Sequence, residues 1–145
     1  MGIFIKRNKL QEFRFNEDRR ITASEDWELW LRLIANFGIK TDSRVSAAMI
    51  YHNDRSVLEI DENGLLLRKK LALKYAFEDR QVKNKFGKYR NEMEAYASSY
   101  IALHLVLTGK KSRGFRYVWL GIKKYPPIIF SRRFLVIIKN LLSSS

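Results

Sequence analysis

Two adjacent carboxylates open the stretch Ser24-Glu25-Asp26-Trp27-Glu28-Leu29-Trp30-Leu31-Arg32. A carboxylate held ionised on a rigid element can take a proton as a general base. The element that must hold these two is a helix. Trp27, Trp30, Leu31 and Ile34 recur at i, i+3, i+4 and i+7, the one-face period of an amphipathic helix. Thr22 and Glu25 have the spacing of a capping box, which predicts a start near Ala23, and Gly38 falls where the helix would stop. Glu25 and Asp26 then lie in the first turn, where the helix dipole favours negative charge. The same placement supports a plainer role, two acids capping a helix, and spacing alone favours it because acids are enriched in first turns.

Four segments in order extend the pattern: Ile3-Phe4-Ile5-Lys6-Arg7, Phe13-Arg14-Phe15-Asn16-Glu17-Asp18, the Glu25-Asp26 stretch, and Tyr51-His52-Asn53-Asp54-Arg55-Ser56-Val57. Together, over residues 3–57, they resemble the second half of a family 2 glycosyltransferase. The resemblance implies a catalytic domain of GT-A fold that uses a nucleotide-sugar donor. It implies Asp26 as the general base that deprotonates an acceptor hydroxyl, with Glu25 beside it. It places Arg55 and Ser56 in a loop over the donor diphosphate, where an arginine fork and a hydroxyl suit phosphate oxygens; the alternative is a solvated loop. It makes His52 a metal or phosphate contact, against a histidine that bonds locally at a strand end. Arg32 either orients a carboxylate or pairs with Glu28 at i,i+4. Trp30 is assigned to core, and Trp27, near the acids, is left open as an acceptor-side contact.

The departures from that family are as informative. No Asp-x-Asp occurs in the 145 residues, nor any phosphate loop of the G-x-x-x-x-G-K-[ST] or G-x-G-x-x-G kind. The expectation is therefore a C-terminal piece of a larger enzyme, inactive alone. The parent would use a divalent metal, Mg or Mn, with none expected on this piece, since His52 by itself cannot hold one with useful affinity. Its partners would be a nucleotide-sugar donor and a glycan or lipid-linked acceptor.

Charge divides the chain. Residues 1–60 hold 10 Lys/Arg against 9 Asp/Glu, and residues 61–145 hold 18 against 6, so nearly all of the net charge of +13 lies in the second part. The polar stretch within residues 58–64 marks the boundary. Before it, Ile3–Lys6, Ile39–Asp42 and Arg44–His52 read as strands, the last an apolar run suited to a strand covered on both faces. After it everything reads as helix. A basic amphipathic helix runs from Leu65 to near Val82, and others span Lys88–Thr108, Lys111–Lys124 and Phe130–Leu142. Gly87, Gly109 and Pro126-Pro127 separate them. Ala95, Tyr96, Ser99, Tyr100, Ala102, Gly109, Gly114 and Pro126 are spaced like one tetratricopeptide hairpin, but a solenoid needs several, and a packed antiparallel pair is the simpler reading. The expected class is thus α+β and mostly helical: short strands and one helix from the end of a GT-A domain over residues 1–60, then a basic bundle of about four helices over residues 61–145.

With 46% hydrophobic residues the chain can fill a core, and without cysteine it has no disulfide or thiolate metal site. The start is too short and too soon charged for a signal peptide, and no run of 18 apolar residues exists to span a bilayer. A cytoplasmic location is expected, at the inner membrane face if the last helix lies in an interface rather than on its neighbours. The basic helices suit anionic lipid, at about 1 kcal/mol per basic residue near the surface. Nucleic acid is the rival partner for a pI near 10.1, but no nucleic-acid reading motif is present. A bare apolar face or strand edge would favour a homodimer.

Overall fold

The computed structural model describes residues 5–10, 12–40 and 62–143. In it the N-terminal segment turns instead of extending. Lys9 N–H donates to Lys6 O (2.9 Å) and Leu10 N–H to Arg7 O (3.1 Å), closing a 3-10 turn over Arg7–Lys9. No strand forms among the described residues, which corrects the α+β, GT-A expectation to an all-helical architecture. A strand needs a neighbour to take its N–H and C=O groups. Among the described residues neither Ile5-Lys6 nor Ile39-Lys40 has one, and the Lys6 carbonyl serves the local turn instead. Ile3–Phe4, Thr41–Asp42 and all of Arg44–His52 lie outside the described residues.

Six α-helices make up the described fold: α1 (Glu25–Phe37), α2 (Glu62–Ala76), α3 (Arg80–Phe86), α4 (Arg90–Leu107), α5 (Lys111–Lys124) and α6 (Arg132–Leu142). Residues beyond 61 thus give five helices rather than four. The expected helix from Leu65 to Val82 is broken because Asp79 caps a new one, its Oδ1 accepting from Gln81 N–H (2.8 Å) and Val82 N–H (3.0 Å). An aspartate that offers its own acceptor to the next turn competes with helix continuation.

The end of α4 is equally local. Gly109 adopts φ 79°, Lys110 N–H donates to Leu105 O (2.8 Å) and Gly109 N–H to Val106 O (3.2 Å). This is the Schellman pattern, which satisfies the last carbonyls of the helix and turns the chain sharply. The reversal sends α5 back antiparallel along α4. Pro126 and Pro127 then start a 3-10 turn over Pro126–Phe130, anchored by buried Ile128, and the Ser131 hydroxyl caps α6 by accepting from Phe134 N–H (3.2 Å).

α4 is the spine on which three apolar clusters meet. Leu31 and Ala35 of α1 join Leu73, Ala76 and Val82 of α2 and α3, closed by Met93 and Ala97 of α4. Leu65 of α2 packs with Ile101 and Leu105 of α4. Ala102 and Val106 pack with Val118 of α5 and Ile137 of α6. The first cluster draws on both sides of the charge boundary. A polar clip reinforces it: Tyr75 Oη on α2 donates to Asp18 Oδ2 (2.6 Å), and Arg20 Nη2 donates to the same oxygen (2.7 Å). The Arg20 guanidinium, then the Tyr75 hydroxyl, hold the Asp18 carboxyl well below the usual carboxylate range.

Candidate functional site

α1 begins two residues later than its apparent capping box implies. Thr22 Oγ1 donates to Arg19 O (2.6 Å) and does not cap the helix. Ala23 takes φ 64°, and Ser24 becomes the N-cap. Glu25 Oε2 accepts from Ser24 N–H (2.9 Å) and Asp26 Oδ1 from Trp27 N–H (2.7 Å), so both acids bind backbone donors at the helix start. Both are half-buried. The second oxygen of Asp26 makes no hydrogen bond among the described residues.

The stripe expected at Trp27, Trp30, Leu31 and Ile34 is only partly the buried face. Leu31 is buried, but the other buried positions are Glu28, Leu29, Leu33 and Ala35, with both α2 and α3 packed against α1. Trp30 and Ile34 are half-buried, and Trp27 is 38% exposed. Arg32 does not reach Glu25 or Asp26. Its Nε and Nη2 donate to Glu28 Oε1 (2.6 Å) and Oε2 (3.0 Å), and Nη2 also donates to Arg14 O (2.8 Å).

Trp27 is exposed because it walls a cavity of about 400 Å³ between α1, α2, α4 and α6. Tyr96 and Tyr100 of α4 supply further aromatic surface, Lys69 comes from α2 and Arg133 from α6. Lys69 Nζ donates to the Ser24 hydroxyl (3.1 Å) and sits 4.7 Å from the Tyr100 ring centroid. Burial pushes the Lys69 ammonium below its ordinary pKa, helped by Arg68 and Arg133 and opposed by Asp26. Asp26 is therefore close enough for its charge to act on a cation lining the cavity, and it directly precedes a residue of the wall.

Of the residues expected in a site, Glu25 and Asp26 lie in the chain between Ser24 and Trp27 of the cavity wall, and neither side chain lines it. His52, Arg55 and Ser56 lie outside the described residues. Among the described residues no group of three or more His, Cys, Asp or Glu side chains could share a metal ion. Lys69, Tyr96, Tyr100 and Arg133 were not distinguishable in the sequence from other basic and aromatic helix positions. Only the i,i+4 spacing of Tyr96 and Tyr100 hinted at a shared face.

Comparison with known proteins returns no match to this chain from any family model, curated protein or solved structure.

Proposed function

We propose that this chain forms the acceptor side of an enzyme that transfers a sugar from a nucleotide-sugar donor to a hydroxyl acceptor, with Asp26 as general base and Glu25 beside it. One observation carries the reading: Asp26, fixed on the first turn of α1, lies in the chain between Ser24 and Trp27 of the wall of a cavity that Tyr96 and Tyr100 also line. Aromatic faces suit the apolar faces of a sugar ring. The first turn of a helix is a favourable place for negative charge. Its backbone bond fixes one oxygen and leaves the other to accept a proton. Arg55, Ser56 and His52 take the donor-side roles on the resemblance alone.

The test is sugar transfer by the full-length protein that carries this segment, wild type against Asp26→Asn, with a panel of nucleotide sugars. The asparagine oxygen can still accept from Trp27 N–H, so the helix start survives. Transfer should fall about 10³-fold, the scale of general-base catalysis, with donor affinity retained. Unchanged turnover would leave Glu25 and Asp26 as helix caps and remove the main support for transfer.

A second reading, compatible with the first, is a peripheral contact with an anionic membrane surface. α5 exposes Phe115 (58%) and Trp119 (52%), and α6 exposes Leu135 (62%) and Leu142 (79%), while Arg116, Lys123, Arg132 and Lys139 on the same two helices are also exposed. Among the described residues no helix is long and apolar enough to cross a membrane, so the contact would lie in the interface. Co-sedimentation with phosphatidylglycerol vesicles, but not with phosphatidylcholine vesicles, is the expected result. It should be lost in Trp119→Ser with Leu135→Ser. Equal binding to duplex DNA would point to charge alone and against a lipid surface.

A further inference from the structure

The cavity beside Asp26 contains positive charge that its own walls do not neutralise. Lys69 and Arg133 approach the same ring, with Lys69 Nζ at 4.7 Å and the Arg133 guanidinium at 5.7 Å from the Tyr100 centroid. Among the described residues neither forms an ion pair with a carboxylate. Lys69 donates to the uncharged Ser24 hydroxyl. Arg133 Nη1 makes two long bonds, to Tyr96 O (3.2 Å) and Ser99 Oγ (3.3 Å). An ammonium offers three donors and a guanidinium five, so most of this donor capacity is left for something else. A half-buried cation without a paired anion is disfavoured. Burial accordingly lowers the Lys69 pKa, the Arg68 and Arg133 charges lower it further, and the Asp26 charge opposes them only in part.

Leu31, Ala72, Leu73, Met93 and Ala97 make much of the remaining lining apolar. A bare inorganic anion would leave that surface and the faces of Trp27 and Tyr100 without contacts. A ligand that satisfies both parts carries one negative group and one ring with an apolar face. The volume of about 400 Å³ falls within the roughly 300–1,000 Å³ of ordinary small-molecule sites.

We propose that this cavity binds a single anionic sugar unit, its phosphate or carboxylate held by Lys69 and Arg133 and its ring lying against Tyr100 and Trp27. As the acceptor position next to Asp26, the assignment rests on the transfer reading; as a binding site, it rests on the cavity alone.

Isothermal titration calorimetry of this chain against glucose 1-phosphate, glucuronate, glucose and inorganic phosphate tests it. At least one of the two charged sugars should bind about tenfold or more tightly than both glucose and inorganic phosphate, as expected when charge-assisted bonds add to ring contact. Which of the two binds identifies the anion. Lys69→Met and Arg133→Met should each weaken that binding about tenfold or more with helix content and unfolding temperature retained. Absence of binding by both charged sugars overturns the proposal. So does glucose or inorganic phosphate binding as tightly as the charged sugars, or unchanged affinity in both variants. Charged-sugar binding by a protein whose parent shows no transfer would uphold this site and sink only the transfer reading. Transfer by the parent with no binding of either charged sugar to this chain would do the reverse.

Discussion

Glu28 sits two residues beyond Asp26 and has a different fate: it is 2% exposed, in the packed middle of α1. Its carboxylate is matched by a bidentate Arg32, which also holds Arg14 O and lies 5.9 Å from the Phe13 ring centroid. One guanidinium thus neutralises a buried acid and ties the N-terminal segment to α1. Removing one partner of a buried pair strands the other charge. Arg32→Met should therefore cost about 3–5 kcal/mol of unfolding free energy, read by urea denaturation, and Glu28→Leu in the same chain should recover much of it. A loss under about 1 kcal/mol would mean that the pair behaves like a surface bridge. The i,i+4 spacing of these residues was legible in the sequence; their burial was not, because it depends on helices far along the chain. The apparent Thr22–Glu25 capping box shows the same limit. Thr22 had a nearer carbonyl to donate to, at Arg19, and Ser24 became the cap instead.

At the scale of elements, strong punctuation was readable and competing caps were not. α5 has the bounds Lys111–Lys124 that Gly109 and Pro126 predict, because a left-handed glycine and a missing N–H leave the backbone little choice. The division of α2 from α3 rests on one side chain, Asp79, inside a run of apolar and basic residues that otherwise continues the helical period. The strand expectation for Ile3–Lys6 rests on a short apolar run and that for Ile39–Asp42 on its place after Gly38, and neither signal alone distinguishes a strand from a turn. The α4–α5 pair depends on a close approach. A Cβ at Gly114 would stand 2.5 Å from Val106 Cγ2 and 3.2 Å from Ala102 O, whereas one at Gly121 would stand 3.4 Å from Ala95 O. Gly114→Ala should destabilise by about 1–3 kcal/mol through overpacking. Gly121→Ala should be close to neutral, since its helix-propensity gain of up to about 1 kcal/mol offsets a tight contact. Thermal unfolding of the two variants side by side checks the pair, and equal effects would argue that the helices separate easily.

Over the whole molecule, the charge break near residue 60 was visible in the sequence, yet the fold does not respect it as a seam. α1, from the nearly neutral part, shares a cluster with α2, α3 and α4 from the basic part. The cavity is likewise assembled from α1, α2, α4 and α6, and no spacing rule connects Trp27, Lys69, Tyr100 and Arg133. That is why the carboxylates could be read in advance and the cations lining the cavity could not. The net charge of +13 also sets the character of the expected vesicle binding. If surface charge drives the first approach, co-sedimentation should weaken steeply as salt shortens the screening length to about 8 Å near physiological ionic strength. The exposed Trp119 and Leu135 should supply the part that salt does not remove.

The sharp Schellman turn after α4 has a consequence for the order in which the molecule assembles. Only Thr108–Lys110 separate α4 from α5, so their pairing closes a very short loop, whereas residues 38–61 separate α1 from α2. Loop-closure entropy rises with the length of chain constrained, and contacts between distant segments form more slowly than local ones. The α4–α5 hairpin is thus the natural nucleus, and α1 is the late arrival. It follows that the cavity is the last part of the fold to exist and the first to be lost. A ligand gripping Trp27 and Arg133 together would act as a latch on α1 and slow its release more than that of any other helix.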